Sequence, residues 1–341
     1  MRYARLAAPA AALALVVASA ATAGAEPIDI ATDDPAFVVG NTVWDLYASA
    51  PPTIQNVWIY EEGIDPTADD ADDHLVNYGY HDLWWSTFVG GTTEQWGMLD
   101  GSMVFDMTET AEGDIVLLGA TERLDGLDVT VEYRFYADGD LVRSLATYTN
   151  PGDEPVTVST GTWSGFGDGD EATIAATSSG DTAVTPADRW LISHNGGQGE
   201  PVLTMVWQGP GADVSPDDTT AGTAGEFAFS LTTLQEITLA PGETLRLAYF
   251  TQVTAYEVAS EPEPTPSPEP SASPGLGETP VLSDIDAAVT TATTATSEFD
   301  AFTGRLTAGL AAGTEVANWG TVSAPVAPPA TPGQGDPAYT G

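Results

Sequence analysis

The chain of 341 residues has no cysteine, no lysine and only three histidines, and all eight of its basic residues are arginine. Each shortage excludes something. Without cysteine there is no disulfide framework, no thiolate zinc site and no thiol nucleophile. A chain of this length can bury a core without such staples. Against the eight basic residues stand 50 acidic ones, for a formal net charge of -42 at pH 7. A surface of that sign repels polyanions, so nucleic acid and anionic lipid are not expected as partners. It favours divalent cations and a salty medium that screens self-repulsion, and stability is expected to rise with salt or calcium. Enzyme signatures are missing as well. There is no HExxH, no phosphate loop and no GxGxxG after a strand, and Ser164 lacks the flanking glycine of a nucleophile elbow.

What is present starts with a secretory signal over residues 1–25. Arg2 and Arg5 supply its positive end, Leu13 to Val17 lie in its apolar core, and Ala23-Gly24-Ala25 is the small-residue cleavage site. The protein is therefore expected to be secreted and extracellular, or held at the cell surface. Residues 26–258 then alternate short apolar runs with Gly, Asp, Asn and Pro. Val57 to Tyr60, Leu83 to Val89, Met103 to Met107 and Val202 to Trp207 are examples. Many short strands at this spacing predict an all-β fold, a large antiparallel β-sandwich.

Its clearest stretch is 126–166. Leu127, Val129, Val131, Tyr133 and Phe135 alternate with Asp128, Thr130, Glu132 and Arg134, the period of a strand. Asp138-Gly139 is a hairpin turn, Leu141 to Thr149 is the returning strand, and Asn150-Pro151-Gly152-Asp153 turns again. A third strand follows from Val156, with a bulge expected at Gly161. Residues 259–280 form an acidic linker rich in proline, stiff and extended. Residues 281–313 carry an amphipathic helix on Leu282, Ile285, Val289, Ala292, Phe299, Leu306 and Leu310, starting near Ser283 and stopping at Gly313. Its charges rule out comfortable membrane insertion. It is expected either to dock on its own β-domain or to assemble a homo-oligomer. A disordered Pro/Gly/Ala-rich tail, 314–341, ends the chain.

The order Asp138-Gly139-Asp140-Leu141, a strand ending in Tyr148-Thr149-Asn150, then Gly152-Asp153-Glu154-Pro155-Val156 resembles the middle of galactose-mutarotase-like supersandwich domains. Leu239 to Leu247 is similar to a late strand of bacterial extracellular β-sandwiches. The resemblance implies a supersandwich-like fold and carbohydrate as a ligand class. A catalytic histidine would be expected just after the first segment. Thr160 to Ser164 holds none, so no catalytic residue is carried over.

Three groups of residues are candidates for binding. Asp65, Asp69, Asp70, Asp72 and Asp73 place five carboxylates within nine residues, the hard donors that calcium takes, though without the glycine and glutamate of an EF-hand loop. Adjacent aspartates are also ordinary on a very acidic surface. Tyr78, Tyr80, Trp84, Trp85 and Trp96 form an aromatic band on which sugars could stack, against the alternative of core packing. Trp84 and Trp85, if on one strand, point to opposite faces. Arg134 and Arg143 fall opposite each other if Asp138-Gly139 closes the hairpin. Facing like charges call for something negative between them, either an anionic ligand or an internal carboxylate such as Glu132.

The function these features favour is a secreted, acidic, non-catalytic binding module for a glycan or another cell-surface component. The alternatives are a structural or adhesive surface protein assembling through its C-terminal helix, and a carbohydrate-active enzyme whose carboxylates the sequence does not single out.

Overall fold

The computed structural model describes residues 26–29, 35–47, 53–68, 71–80, 85–90, 94–97, 104–168, 172–195, 199–223, 228–256 and 282–323. The expected signal segment, the proline-rich linker and the tail beyond 323 lie outside these residues, as do Asp69, Asp70 and Trp84.

In chain order the strands are β1 (Glu26–Asp29), β2 (Ala36–Val39), β3 (Thr42–Tyr47), β4 (Thr53–Tyr60), β5 (Leu75–Tyr80), β6 (Ser86–Val89), β7 (Glu94–Gln95), β8 (Val104–Glu109), β9 (Ile115–Gly119) and β10 (Glu122–Leu124). They continue with β11 (Leu127–Phe135), β12 (Leu141–Thr149), β13 (Val156–Asp168), β14 (Thr173–Thr177), β15 (Trp190–His194), β16 (Val202–Val206), β17 (Asp218–Thr223), β18 (Ala228–Leu239) and β19 (Thr244–Thr254). One α-helix, α1 (Leu282–Ala295), precedes the short pair β20 (Glu315–Val316) and β21 (Gly320–Thr321).

All strand pairings among these residues are antiparallel. A ten-stranded sheet runs β1-β8-β9-β11-β12-β19-β16-β15-β14, with β10 also on β11. A five-stranded sheet runs β17-β18-β13-β6-β7, and a four-stranded sheet runs β2-β3-β4-β5. One core is shared among them. Val129, Val131, Tyr133 and Phe135 of the large sheet meet Trp44, Leu46 and Val57 of the four-stranded sheet and Val89, Leu231 and Ile237 of the five-stranded one. The architecture is a large antiparallel β-sandwich, as the alternating strands predicted.

The central hairpin follows the sequence closely. Its strands span Leu127–Phe135 and Leu141–Thr149, and Arg134 pairs with Arg143 in register. The turn is wider than two residues, because Tyr136 N–H bonds back to the Leu141 carbonyl. The register is unchanged, because the extra residues are split equally between the two sides. Gly161 is a correction. The pairing of β13 with β18 runs unbroken through it and shifts only between Gly165 and Asp168. Gly161 is required instead by a close approach, since a Cβ there would overlap the Thr233 carbonyl.

The C-terminal segment also departs from expectation. The helix ends at Ala295 and gives way to 3-10 turns at Thr296–Asp300 and Gly304–Thr307. Gly304 and Gly309 take positive φ values of 59° and 77°, which end the helical path. This segment packs on the chain's own large sheet. Ile285, Ala288, Ala292, Phe299 and Leu306 cover Leu141, Leu145, Ile192, Val206 and Phe250. The apolar face that could have joined a second copy is therefore spent within the chain. The expected disorder does not begin at 314. Trp319 stacks on Phe302 and meets Phe250 edge-on, with ring centroids 5.3 and 5.0 Å apart. Asn318 replaces a missing strand neighbour. Its Nδ2 donates to the carbonyls of Trp207 and Ala248, each at 2.7 Å, and its Oδ1 accepts from Ala248 N–H at 2.9 Å. Both faces of the central strands are buried over Val202 to Val206 and Leu247 to Val253, so apolar side chains occupy both faces there. Among the described residues no helix is long and apolar enough to cross a membrane.

Candidate functional site

The two facing arginines lie on the side of the large sheet that the C-terminal segment covers. Arg143 is fully buried. Its guanidinium donates to Glu132 Oε1 at 2.7 Å and to the carbonyls of Leu306 and Ala308 at 3.0 and 2.9 Å. Arg134 donates to Asp114 Oδ2 at 2.7 Å, while Asp114 Oδ1 accepts the Ala137 N–H at 2.9 Å. Gly309 lies against the Arg134 guanidinium so closely that a Cβ would overlap it. The charge between the arginines is internal, with Glu132 in its expected place. Neither guanidinium is open to a ligand, so Arg134 and Arg143 are anchors of the fold and not binding residues.

Two more arginines hold the same seam. Arg189 pairs with Asp300 at 2.8 Å. Arg305 gathers Glu298, Asp138 and Asp140 around one guanidinium. Burial raises the Asp138 carboxyl, and its neighbour Asp140 adds to the effect. Burial acts the same way on Asp140, but hydrogen bonds from Arg305 and Gln252 outweigh it and hold that carboxyl low.

The aromatic band divides. Trp85 is 1% exposed, stacks on Tyr249 at 5.2 Å and donates its indole N–H to Thr251. Trp96 is 4% exposed, meets Phe105 edge-on and donates to the Ala120 carbonyl. Gly119 leaves room for the Trp96 ring, which a side chain there would hit. Both rings belong to the core and offer no face to a sugar, a correction to the platform expected of them. Tyr80 ends β5, and its side chain lies outside the described residues.

Tyr78 stands differently. It is half-buried and is the cross-strand partner of Trp58, itself half-buried, with ring centroids 5.7 Å apart and planes at 28°. Val57 and Ile59 point into the shared core, so alternation turns Trp58 outward. On that outward face it packs beside Tyr60, Val43 and Val38, with Ile64 and Ala71 of the β4–β5 loop folded over them. The edge at Tyr78 is held firmly. Gly199 accepts the Tyr78 N–H at 2.9 Å and the Asn77 side chain at 3.0 Å, and Asn77 Oδ1 accepts the Tyr256 N–H at 2.8 Å. One rung along the same face, Asn56 donates to Asp45 Oδ2 at 2.7 Å. Trp58 is the residue that sequence reading missed. Inside Val57-Trp58-Ile59-Tyr60 it looks like core, and strand alternation was the one signal that set it apart.

Of the aspartate run, only Asp65 and Asp73 have side chains among the described residues. Asp65 is exposed, and its Oδ1 accepts the N–H and hydroxyl of Thr67, which lower its pKa. Asp73 is exposed, and the Asp72 side chain lies outside the described residues. Among the described residues no group of three or more acidic or histidine side chains is placed to hold a metal ion. His74 faces Glu61 at 3.1 Å, where the two flank the loop's base.

No protein-family model matches the chain. No curated protein matches it either. Solved structures similar to it include a galactose mutarotase-like protein from Lactobacillus casei, 9% identical over 64% of this chain and 99% of that one, with a TM-score of 0.37. A galactose mutarotase related enzyme from Lactobacillus acidophilus is 9% identical over 64% of this chain and 97% of that one, with a TM-score of 0.36. A TPR-domain containing protein from Parabacteroides distasonis is 9% identical over 64% of this chain and 46% of that one, with a TM-score of 0.41. At these identities and TM-scores the likenesses assign no chemistry to this chain.

Proposed function

We propose that the protein is exported and works outside the cell as a carbohydrate-binding module without catalysis of its own, its sugar stacked on Trp58 and Tyr78. The observation that carries this reading is the pair itself. Two half-buried rings lie side by side on the outward face of a sheet whose inner face is locked in the core. The apolar face of a pyranose packs on such rings much as aromatic rings pack on each other, and a rigid strand pair loses little freedom when it does so. The signal-like residues 1–25 support export. The test is a glycan-array screen of the full chain beside Trp58→Ala, run with and without calcium. The reading expects binding to at least one glycan class and its loss in Trp58→Ala, with the variant destabilised by the lost packing but still folded and melting cooperatively at the assay temperature. A blank array under both conditions would overturn it.

A further inference from the structure

The surroundings of the ring pair narrow the sugar. Between Ala36 and Tyr80 the chain carries eight acidic residues and neither lysine nor arginine. The loop joining the strands of Trp58 and Tyr78 folds Ile64 and Ala71 onto the same face as Trp58. It presents Glu61, Glu62, Asp65 and Asp73 to solvent. Low-dielectric walls and charge of a single sign focus the field at such a face and draw cations to it.

The rung next to the rings is built of acceptors. Asp45 and Asn56 are cross-strand partners two residues from Val43 and Trp58, about 7 Å along the strands. Asn56 is 7% exposed. Its Nδ2 is committed to the Asp45 carboxylate, which fixes the amide's orientation. Its Oδ1 meets no donor among the described residues. A buried acceptor left in that state is costly and is relieved by a donor. A hydroxyl can supply one hydrogen. An ammonium supplies three, carries the charge that the face attracts, and interacts favourably with aromatic faces.

Resting on the reading of a sugar stacked at Trp58 and Tyr78, we infer that the sugar is a 2-amino sugar with a free ammonium group, which donates into the acceptor rung of Asp45 and Asn56. Uronates are rejected by the same field, and N-acetylated sugars lose the charge that selects for binding.

The experiment is calorimetric titration of the full chain with glucosamine oligomers, their N-acetylated equivalents, cello-oligomers, oligogalacturonate and oligolysine. Glucosamine oligomers should bind about tenfold or more tighter than the acetylated and neutral ones. Their binding should weaken as salt rises and as pH rises through deprotonation of the amine. Trp58→Ala should abolish binding. Asp45→Asn should erase the preference for the amine while stacking on neutral sugars persists. If Asp45→Asn fails to fold, the exposed triple variant Glu61→Gln, Glu62→Gln, Asp73→Asn carries the test through a reduced salt dependence. Equal binding of acetylated and free-amine oligomers would overturn this inference and leave carbohydrate binding standing. Equal binding of oligolysine, untouched by Trp58→Ala, would show plain charge attraction and overturn it too. No binding to any of these oligomers would overturn this inference, and a blank glycan array would overturn carbohydrate binding itself.

Discussion

Replacing Arg143 with methionine should destabilise the protein by about 3–5 kcal/mol, the cost of opening a buried ion pair from one side. The structure lets the figure be assembled. Methionine removes three donated hydrogen bonds, to Glu132 Oε1 and to the carbonyls of Leu306 and Ala308. Hydrogen bonds to a charged group are worth about 1.5–3 kcal/mol each, and a buried carbonyl left without its donor costs about 1–3 kcal/mol. Two effects give part of this back. Glu132 keeps 23% of its side chain exposed and can be rehydrated. Arg134, directly across the hairpin, loses a like-charged neighbour. The net loss corresponds to roughly 6–10 °C of melting temperature in a domain of this size. Lysine at 143 should fall between, because an ammonium keeps the charge but not the fork that reaches a carboxylate and two carbonyls together. The assay is a denaturant melt paired with hydrogen exchange at the C-terminal segment, where Ala317 N–H is bonded to the Arg246 carbonyl and Val322 N–H to that of Thr314. Exchange there should rise more than in the central hairpin. A methionine variant within about 1 kcal/mol of the parent, or one whose C-terminal amides stay as protected as the core, would refute the anchoring role.

Other outcomes test the same packing and its titratable groups. Asn318→Ala strips three buried hydrogen bonds from Trp207 and Ala248 and should cost about 2–4 kcal/mol by the same melt, whereas a disordered tail would register no change. Stability should decline over two separate ranges of falling pH. Burial holds the His194 imidazole below its ordinary 6.5, with Asp286 pulling the other way. The unfolded chain therefore takes up that proton first, and stability falls as pH drops below 6.5. Burial pushes the Asp188 carboxyl up, but hydrogen bonds from Thr185 and Ser179 outweigh it and hold the group below its ordinary 3.8. Its contribution is complete above 3.8 and is lost as pH falls through the lower folded value. His194→Gln should flatten the first slope and Asp188→Asn the second in melts across pH, and unchanged slopes would show that other groups govern the acid transition.

How far these features could be read from residues alone depended on whether one physical cause or two could produce the pattern. The β11–β12 hairpin was legible because alternation and an Asp-Gly turn specify register together, and register alone brings Arg134 opposite Arg143. The role of Glu132 followed from the same register. Gly161 was misread because a bulge and a close backbone approach both demand glycine, and only the position of Thr233 separates them. The helix was drawn too long because apolar residues at three-residue steps suit 3-10 turns as well as an α-helix. Gly304 and Gly309 were the visible warning. Trp85 and Trp96 illustrate a deeper limit. A bulky ring next to strand residues is equally compatible with either face until the neighbouring sheet is known, and here the five-stranded sheet and the hollow at Gly119 decide it.

The placement of the arginines ties fold and site together. Six arginines lie beyond residue 25, and four of them, Arg134, Arg143, Arg189 and Arg305, sit where the C-terminal segment meets the large sheet. In a chain of net charge -42, self-repulsion opposes the docking of one acidic segment on another. Cations at the seam offset that repulsion. The β2–β3 turn of the four-stranded sheet touches the hairpin turn that carries Asp138, a partner of Arg305. No arginine lies between Glu26 and Glu122, so the four-stranded sheet carries none of its own beside Trp58 and Tyr78. The same allocation of charge that fastens the C-terminal segment underlies the proposal that the outward aromatic pair takes a cationic sugar and not an anionic one.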